Sequence, residues 1–126
     1  MINILLVSRD KASLSELKAG LEAYGGQTSW AKSGTEALSM VAEEAVDLVV
    51  ADEFLADMTG FEFVKMVVSK RPMVSCAVVS SLTPADFHEA GEGLGILMQL
   101  PVEPDREDAR LLHGHLINIL NTVKSN

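Results

Sequence analysis

The residues able to do chemistry in this chain stand where aliphatic runs stop. "NILLV" gives way to Ser8, Arg9 and Asp10, "VDLVVA" to Asp52, "SCAVV" to Ser80 and Ser81, and "ILMQ" to Leu100 and Pro101. An arginine is a good ligand for phosphate or carboxylate, and carboxylates are ligands for hard cations such as Mg²⁺. Anion and metal chemistry are therefore the chemistries to weigh at these run ends. Other candidates carry less. His113 and His115, two apart on a helical stretch, point roughly 200° from each other and make no metal pair. His88 is isolated, and Cys76 lies inside the apolar run "MVSCAVV" as a small buried hydrophobe. "GEGLG" has the wrong spacing for a dinucleotide loop and leads into a strand, so it reads as a helix terminator.

The elements that must position these residues follow from periodicity. Asn3 to Val7 is short and almost wholly apolar, as a buried parallel strand should be. Leu14, Leu17 and Leu21 recur at helical spacing over about Lys11 to Tyr24, with Asp10 or a Ser13–Glu16 capping box at the start. "QTSWA" is a second strand, and Ser33 with Glu36 opens a helix through "KSGTEALSMVAEEA". "VDLVVAD" is the third strand, "EFLADMTG" a loop, and "FEFVKMVVSK" a helix that stops before Pro72. "VSCAVVS" is strand four, and Thr83–Pro84 caps a short helix to about Glu92. "ILMQL" is strand five. A last helix runs from about Asp105 to Val123, with Leu112, Leu116, Ile119 and Val123 expected inward. Five strands alternating with five helices predict an α/β doubly wound parallel sheet, whose sites lie beyond the carboxyl ends of the strands.

Length and composition narrow the classes. The 126 residues suit one domain, 1–126, and 48% hydrophobic content can fill a core. A net charge of −8 argues against nucleic acid and against anionic membrane surfaces as partners. The single cysteine suits a reducing cytoplasm, no run is long enough to span a bilayer, and the N-terminus shows no secretion signal.

In order and spacing, "AKSGTEAL", "VDLVVAD", and Gly60 before "FEFVK" resemble the receiver domain of bacterial response regulators, over essentially the whole chain. Met58 suits that pattern, whereas Ala56 stands where a proline is common. The resemblance implies a CheY-like, flavodoxin-like fold with strand order 2-1-3-4-5 and a role in two-component phosphorelay signalling rather than as an enzyme. It implies Asp52 as the phosphoacceptor and Ser80, with Ser81 beside it, as the switch hydroxyl that contacts phosphate. Pro101 matches the proline after the family's lysine, a peptide usually cis there. The partner implied is a sensor histidine kinase or another signalling protein. Homodimerisation through the fourth helix, fifth strand and fifth helix is also implied, and Leu111, Ile117 and Leu120 supply extra apolar rows on the last helix.

The departures are chemical. Ser8 and Arg9 stand where the resemblance expects the acidic metal-holding pair, Leu100 where it expects the lysine, and Leu97 where it expects the switch aromatic. Phosphoryl transfer to a carboxylate gathers negative charge, which Mg²⁺ and an ammonium neutralise. A site with only Asp52 and the neighbouring Asp10 should hold Mg²⁺ weakly. The expectation is a degenerate site, with no cofactor, in a protein-interaction module. The alternative is a working receiver phosphorylated on Asp52, including as a piece of a larger hybrid kinase or regulator. Three readings of Arg9 stand open: an ion pair with Asp52, a solvent-facing side chain, or a phosphate ligand in metal-free phosphorylation. Opposite charges ~4 Å apart would gain roughly 4 kcal/mol at an effective dielectric of 20 before desolvation.

Overall fold

The computed structural model describes residues 2–125, and side chains over 2–121. Five strands, β1 (Asn3–Val7), β2 (Gln27–Ala31), β3 (Leu48–Ala51), β4 (Ser75–Val79) and β5 (Met98–Leu100), alternate with five α-helices. The helices are α1 (Ser15–Ala23), α2 (Gly34–Glu43), α3 (Gly60–Lys70), α4 (Pro84–Ala90) and α5 (Arg106–Ser125). The strands form one parallel sheet in the order β2-β1-β3-β4-β5. The doubly wound parallel sheet expected from the alternation, and the flavodoxin-like strand order implied by the resemblance, are the ones observed.

Side-chain alternation along the strands splits the core into two layers. Leu5, Val7, Val49, Ala51, Cys76 and Val78 face α2, α3 and α4, where Ala37, Val41, Phe63, Val64, Val67 and Phe87 meet them. Ile4, Leu6, Leu48, Val50, Ala77, Val79 and Leu100 face α1 and α5 and pack on Leu14, Leu17, Leu21, Ala109, Leu112 and Leu116. Each fully buried leucine of the second layer contributes roughly 1.5–3 kcal/mol relative to exposure. That density fixes the phase of α1 against the sheet.

Several local expectations are refined. Asp10, not Ser13, caps the first turn: its carboxylate accepts from Ala12 N–H, and a 3-10 turn over Lys11–Leu14 precedes α1. Ser33, Thr59 and Thr83 cap α2, α3 and α4, Thr59 with a reciprocal bond from its own N–H to Glu62. β3 and β5 are shorter than their apolar runs. On α5 the inward row is Ala109, Leu112 and Leu116, with Leu120 packed against them, whereas Ile119 is 43% exposed. A helix advancing 100° per residue puts Leu120, four past Leu116, nearer the buried stripe than Ile119. The side chain of Val123 lies outside the described residues. There is no cis peptide bond among the described residues, so the Leu100–Pro101 peptide is trans.

Candidate functional site

Register brings the polar run ends together. Val7 pairs with Ala51, so the next residues, Ser8 and Asp52, leave the sheet side by side on the α1 face. Ser8 N–H donates to Ala31 O and Asp52 N–H to Val7 O, which extends the ladder one step beyond the strands. The 3-10 turn then folds Ser13 back over the same spot.

The result is a hydroxyl cradle around one carboxylate. Ser8 Oγ lies 2.7 Å and Ser13 Oγ 2.9 Å from Asp52 Oδ2. Both hydroxyls also reach the Asp10 carbonyl, at 2.9 and 2.8 Å. Two hydroxyl protons thus face two acceptors, and either serine can serve either one, so Oδ2 is bonded whenever one serine takes it and the other takes the Asp10 carbonyl. The other carboxylate oxygen, Oδ1, accepts from Glu53 N–H at 2.8 Å. Ser8 is 2% exposed, and no buried side-chain polar atom among the described residues lacks a partner.

The expected residues do not all converge. Arg9 is exposed and makes none of the ion pairs seen among the described residues, so the Arg9–Asp52 pair does not form. The reason is alternation: Ser8 points at Asp52, and its chain neighbour points elsewhere. The Asp10 carboxylate turns to Ala12 N–H rather than to Asp52. Leu100 is fully buried in the α1/α5 layer, and half-buried Leu97 packs at the same layer's margin. Pro101 is exposed. Ser80, 3% exposed, accepts at its hydroxyl from Leu82 N–H at 3.1 Å and does not touch Asp52. Ser81 donates both N–H and Oγ–H to Glu53 Oε2, each at 2.9 Å.

Three contributors lie outside the residues that the sequence singles out for chemistry. Ser13 sits five residues after Ser8, in the first turn facing the strand end, and that placement was its only signal. Glu53, beside Asp52, was hidden as a loop residue. Asp57 accepts from Gly34 N–H at 2.7 Å and from Thr35 N–H and Oγ1 at 3.1 and 2.7 Å. It thereby ties the loop after β3 to the start of α2. The Thr35 hydroxyl first, then the Gly34 amide, holds the Asp57 carboxyl below its ordinary value. Gly60 closes this loop: a Cβ there would strike the Asp52 carbonyl oxygen and press on Val78. Only glycine lets α3 start so close beneath the carboxylate.

As a metal site the cradle fits poorly. Mg²⁺ demands octahedral oxygen ligands, usually with one or two carboxylates. Here one carboxylate is already bonded at both oxygens, and no group of three His, Cys, Asp or Glu able to hold a metal occurs among the described residues. The histidines stay apart from it: His113 stacks on Tyr24 at 4.7 Å, and His88 and His115 are exposed. Cys76, 2% exposed, has its thiol pushed up to about 12 by burial.

Fold and site together define a CheY-like α/β domain with a hydroxyl-bonded Asp52 beyond the carboxyl edge of a doubly wound sheet. Residues 4–101 match the family model of the response regulator receiver domain, and the chain belongs to that family. It is a receiver domain of two-component signalling, a class of module that works with histidine kinases and other signalling proteins. It is 28% identical over 123 residues to the transcriptional regulatory protein ZraR of Escherichia coli O157:H7, covering 93% of this chain and 28% of that protein. It is 28% identical over 113 residues to the autoinducer 2 sensor kinase/phosphatase LuxQ of Vibrio parahaemolyticus, covering 86% of this chain and 13% of that protein. The chain thus spans well under a third of either relative. Among solved structures, the HemR receiver domain of Leptospira biflexa superposes with a TM-score of 0.79 at 28% identity, covering 93% of this chain and 94% of that one. The chemotaxis response regulator CheY4 of Vibrio cholerae superposes with a TM-score of 0.81 at 23% identity, covering 92% and 98%. No helix among the described residues is long and apolar enough to cross a membrane.

Proposed function

We propose that this receiver domain has exchanged metal-dependent phosphorylation for a constitutively bonded Asp52 and acts as a protein-interaction module. The observation that carries the reading is the Ser8–Ser13 hydroxyl pair on Asp52 Oδ2, at 2.7 and 2.9 Å, where a receiver would present carboxylates to Mg²⁺. Hydroxyls stabilise the carboxylate without a cation, and buried Leu100 offers no ammonium to a phosphoryl group. Asp52 remains the phosphoacceptor candidate, with Ser80 and Ser81 as switch residues. Ser8, Arg9, Asp10, Leu97, Leu100 and Pro101 are the positions that depart from an active site.

The partner in this reading is a protein, a sensor histidine kinase or another signalling component, met in the cytoplasm by one domain spanning 1–126. Leu111 and Ile119, 40% and 43% exposed on α5, support an apolar surface that includes α5, such as that of a homodimer through α4, β5 and α5. The net charge of −8 supports a protein rather than nucleic acid or membrane. The test is a beryllofluoride titration followed by NMR, with and without Mg²⁺. Unchanged resonances around Asp52 are expected, whereas Mg²⁺-dependent shifts spreading from Asp52 would return it to the phosphorylated receivers. Sedimentation at high concentration reads the dimer, and a strict monomer removes it.

A further inference from the structure

The loop after β4, which joins Ser80 to α4, is held by a carboxylate that no catalytic role requires. Glu53 Oε2 accepts two bonds from Ser81, from N–H and from Oγ–H, each at 2.9 Å. Glu53 is at the same time bonded to Asp52, since its N–H donates to Asp52 Oδ1 at 2.8 Å. One residue therefore touches the candidate phosphoacceptor with its backbone and the next loop with its side chain.

The rest of that loop is secured in the same sense. Ser80 Oγ is taken up by Leu82 N–H at 3.1 Å. Gln99, on β5, donates from Nε2 to Leu82 O at 2.9 Å and more distantly to Ser80 O at 3.4 Å. The chain from Ser80 to Leu82 is thus fastened from the loop after β3 by Glu53 and from β5 by Gln99, and the Ser80 hydroxyl accepts from Leu82 within it. Leu82 stands outward, 40% exposed, at the foot of α4.

We infer that Glu53 is a positioning residue, a latch that ties the Asp52 segment to the loop after β4 and holds Ser80 and Leu82 in place without any phosphate. A carboxylate accepting two bonds on one oxygen is a stronger tether than a neutral acceptor. Because the latch begins at the residue bonded to Asp52, a change at Asp52 reaches Ser81 through Glu53 rather than through Ser80. This holds whether or not Asp52 is phosphorylated, so it stands apart from the reading above.

The experiment is NMR solvent exchange of the Ser81 and Leu82 amides on the full chain, in Glu53→Ala, Glu53→Gln and Glu53→Asp. Opening a charge-assisted bond should speed Ser81 exchange by about tenfold or more in Glu53→Ala. Glu53→Gln keeps the reach and one neutral acceptor oxygen, so it should restore part of the protection. Glu53→Asp keeps the charge but falls one methylene short, and should not. Amides of Leu5 and Val49 in the sheet report that each variant is folded. In Asp52→Ala, Ser81 exchange should rise, and the added Glu53→Ala change should then have a smaller effect than in the parent. Ser81 exchange unchanged in Glu53→Ala overturns the latch, and protection kept by Asp but lost by Gln overturns it too, since charge alone would then be acting.

Discussion

Placing a carboxylate back at position 8 measures what the serine cradle replaces. Ser8 is 2% exposed, and its hydroxyl is 2.7 Å from Asp52 Oδ2. In Ser8→Asp, two carboxylates share a spot that now holds one. Like charges about 4 Å apart repel by roughly 4 kcal/mol at an effective dielectric of 20. Bonds that remain available, from Ser13 Oγ–H and Asp10 N–H, offset part of this. A net loss of about 2 kcal/mol at pH 7 is expected, a fall in Tm of roughly 7–8 °C for a domain of this size. The loss should fade in acid, where carboxyl groups become neutral and the repulsion disappears. Mg²⁺ should reverse it at neutral pH, because an ion held by the folded state at a hundred times its Kd returns about 2.7 kcal/mol. The assay is thermal unfolding in Mg²⁺ and in NaCl of equal ionic strength, since screening alone relieves some repulsion. The parent should not respond specifically to Mg²⁺. A variant that loses no stability, or loses it and gains nothing from Mg²⁺ over NaCl, refutes the view that the hydroxyls stand in for metal-binding carboxylates. Leu100 is left alone in this design because it is fully buried, and a lysine there would add a packing cost of its own.

Gly60→Ala forces a methyl against the Asp52 carbonyl oxygen and should cost about 1–3 kcal/mol. Gly114→Ala, with open space around it in α5, should stabilise by about 0.5–1 kcal/mol, and urea unfolding of both separates collision from mere loss of glycine. Asp57, held below its ordinary value by Thr35 and Gly34, contributes stability that is present above the unfolded-state pKa and lost as pH falls through the folded one. Carboxyl-carbon NMR should therefore show Asp57 titrating below an ordinary aspartate, and Asp57→Asn should flatten that part of the acid-stability profile. Cys76, its thiol raised to about 12, should resist a thiol reagent at pH 8 until the chain is unfolded. Rapid labelling of the native protein would contradict that burial.

Much of this molecule was legible along the chain because its signals are local. Alternating apolar strands and amphipathic helices, with Ser33, Thr83 and Pro84 at helix starts, determined the doubly wound sheet and the edge where polar residues gather. Asp52 stood out because a buried strand ended on a charge. The partners of Asp52 were a matter for the tertiary structure. Ser8 and Ser13 meet a residue 44 and 39 positions away, and they do so because strand register and the phase of one 3-10 turn coincide. Arg9, the more suggestive residue in the sequence, was turned away by the same alternation. Glu53 could not be seen to reach Ser81 until β3 and β4 were paired. Ile119 and Leu120 are both apolar, and the stripe that α5 turns to α1 and the sheet decided which of them packs on the core. Residue type and spacing set what each element is, whereas contacts between distant elements set which side chains can share a proton.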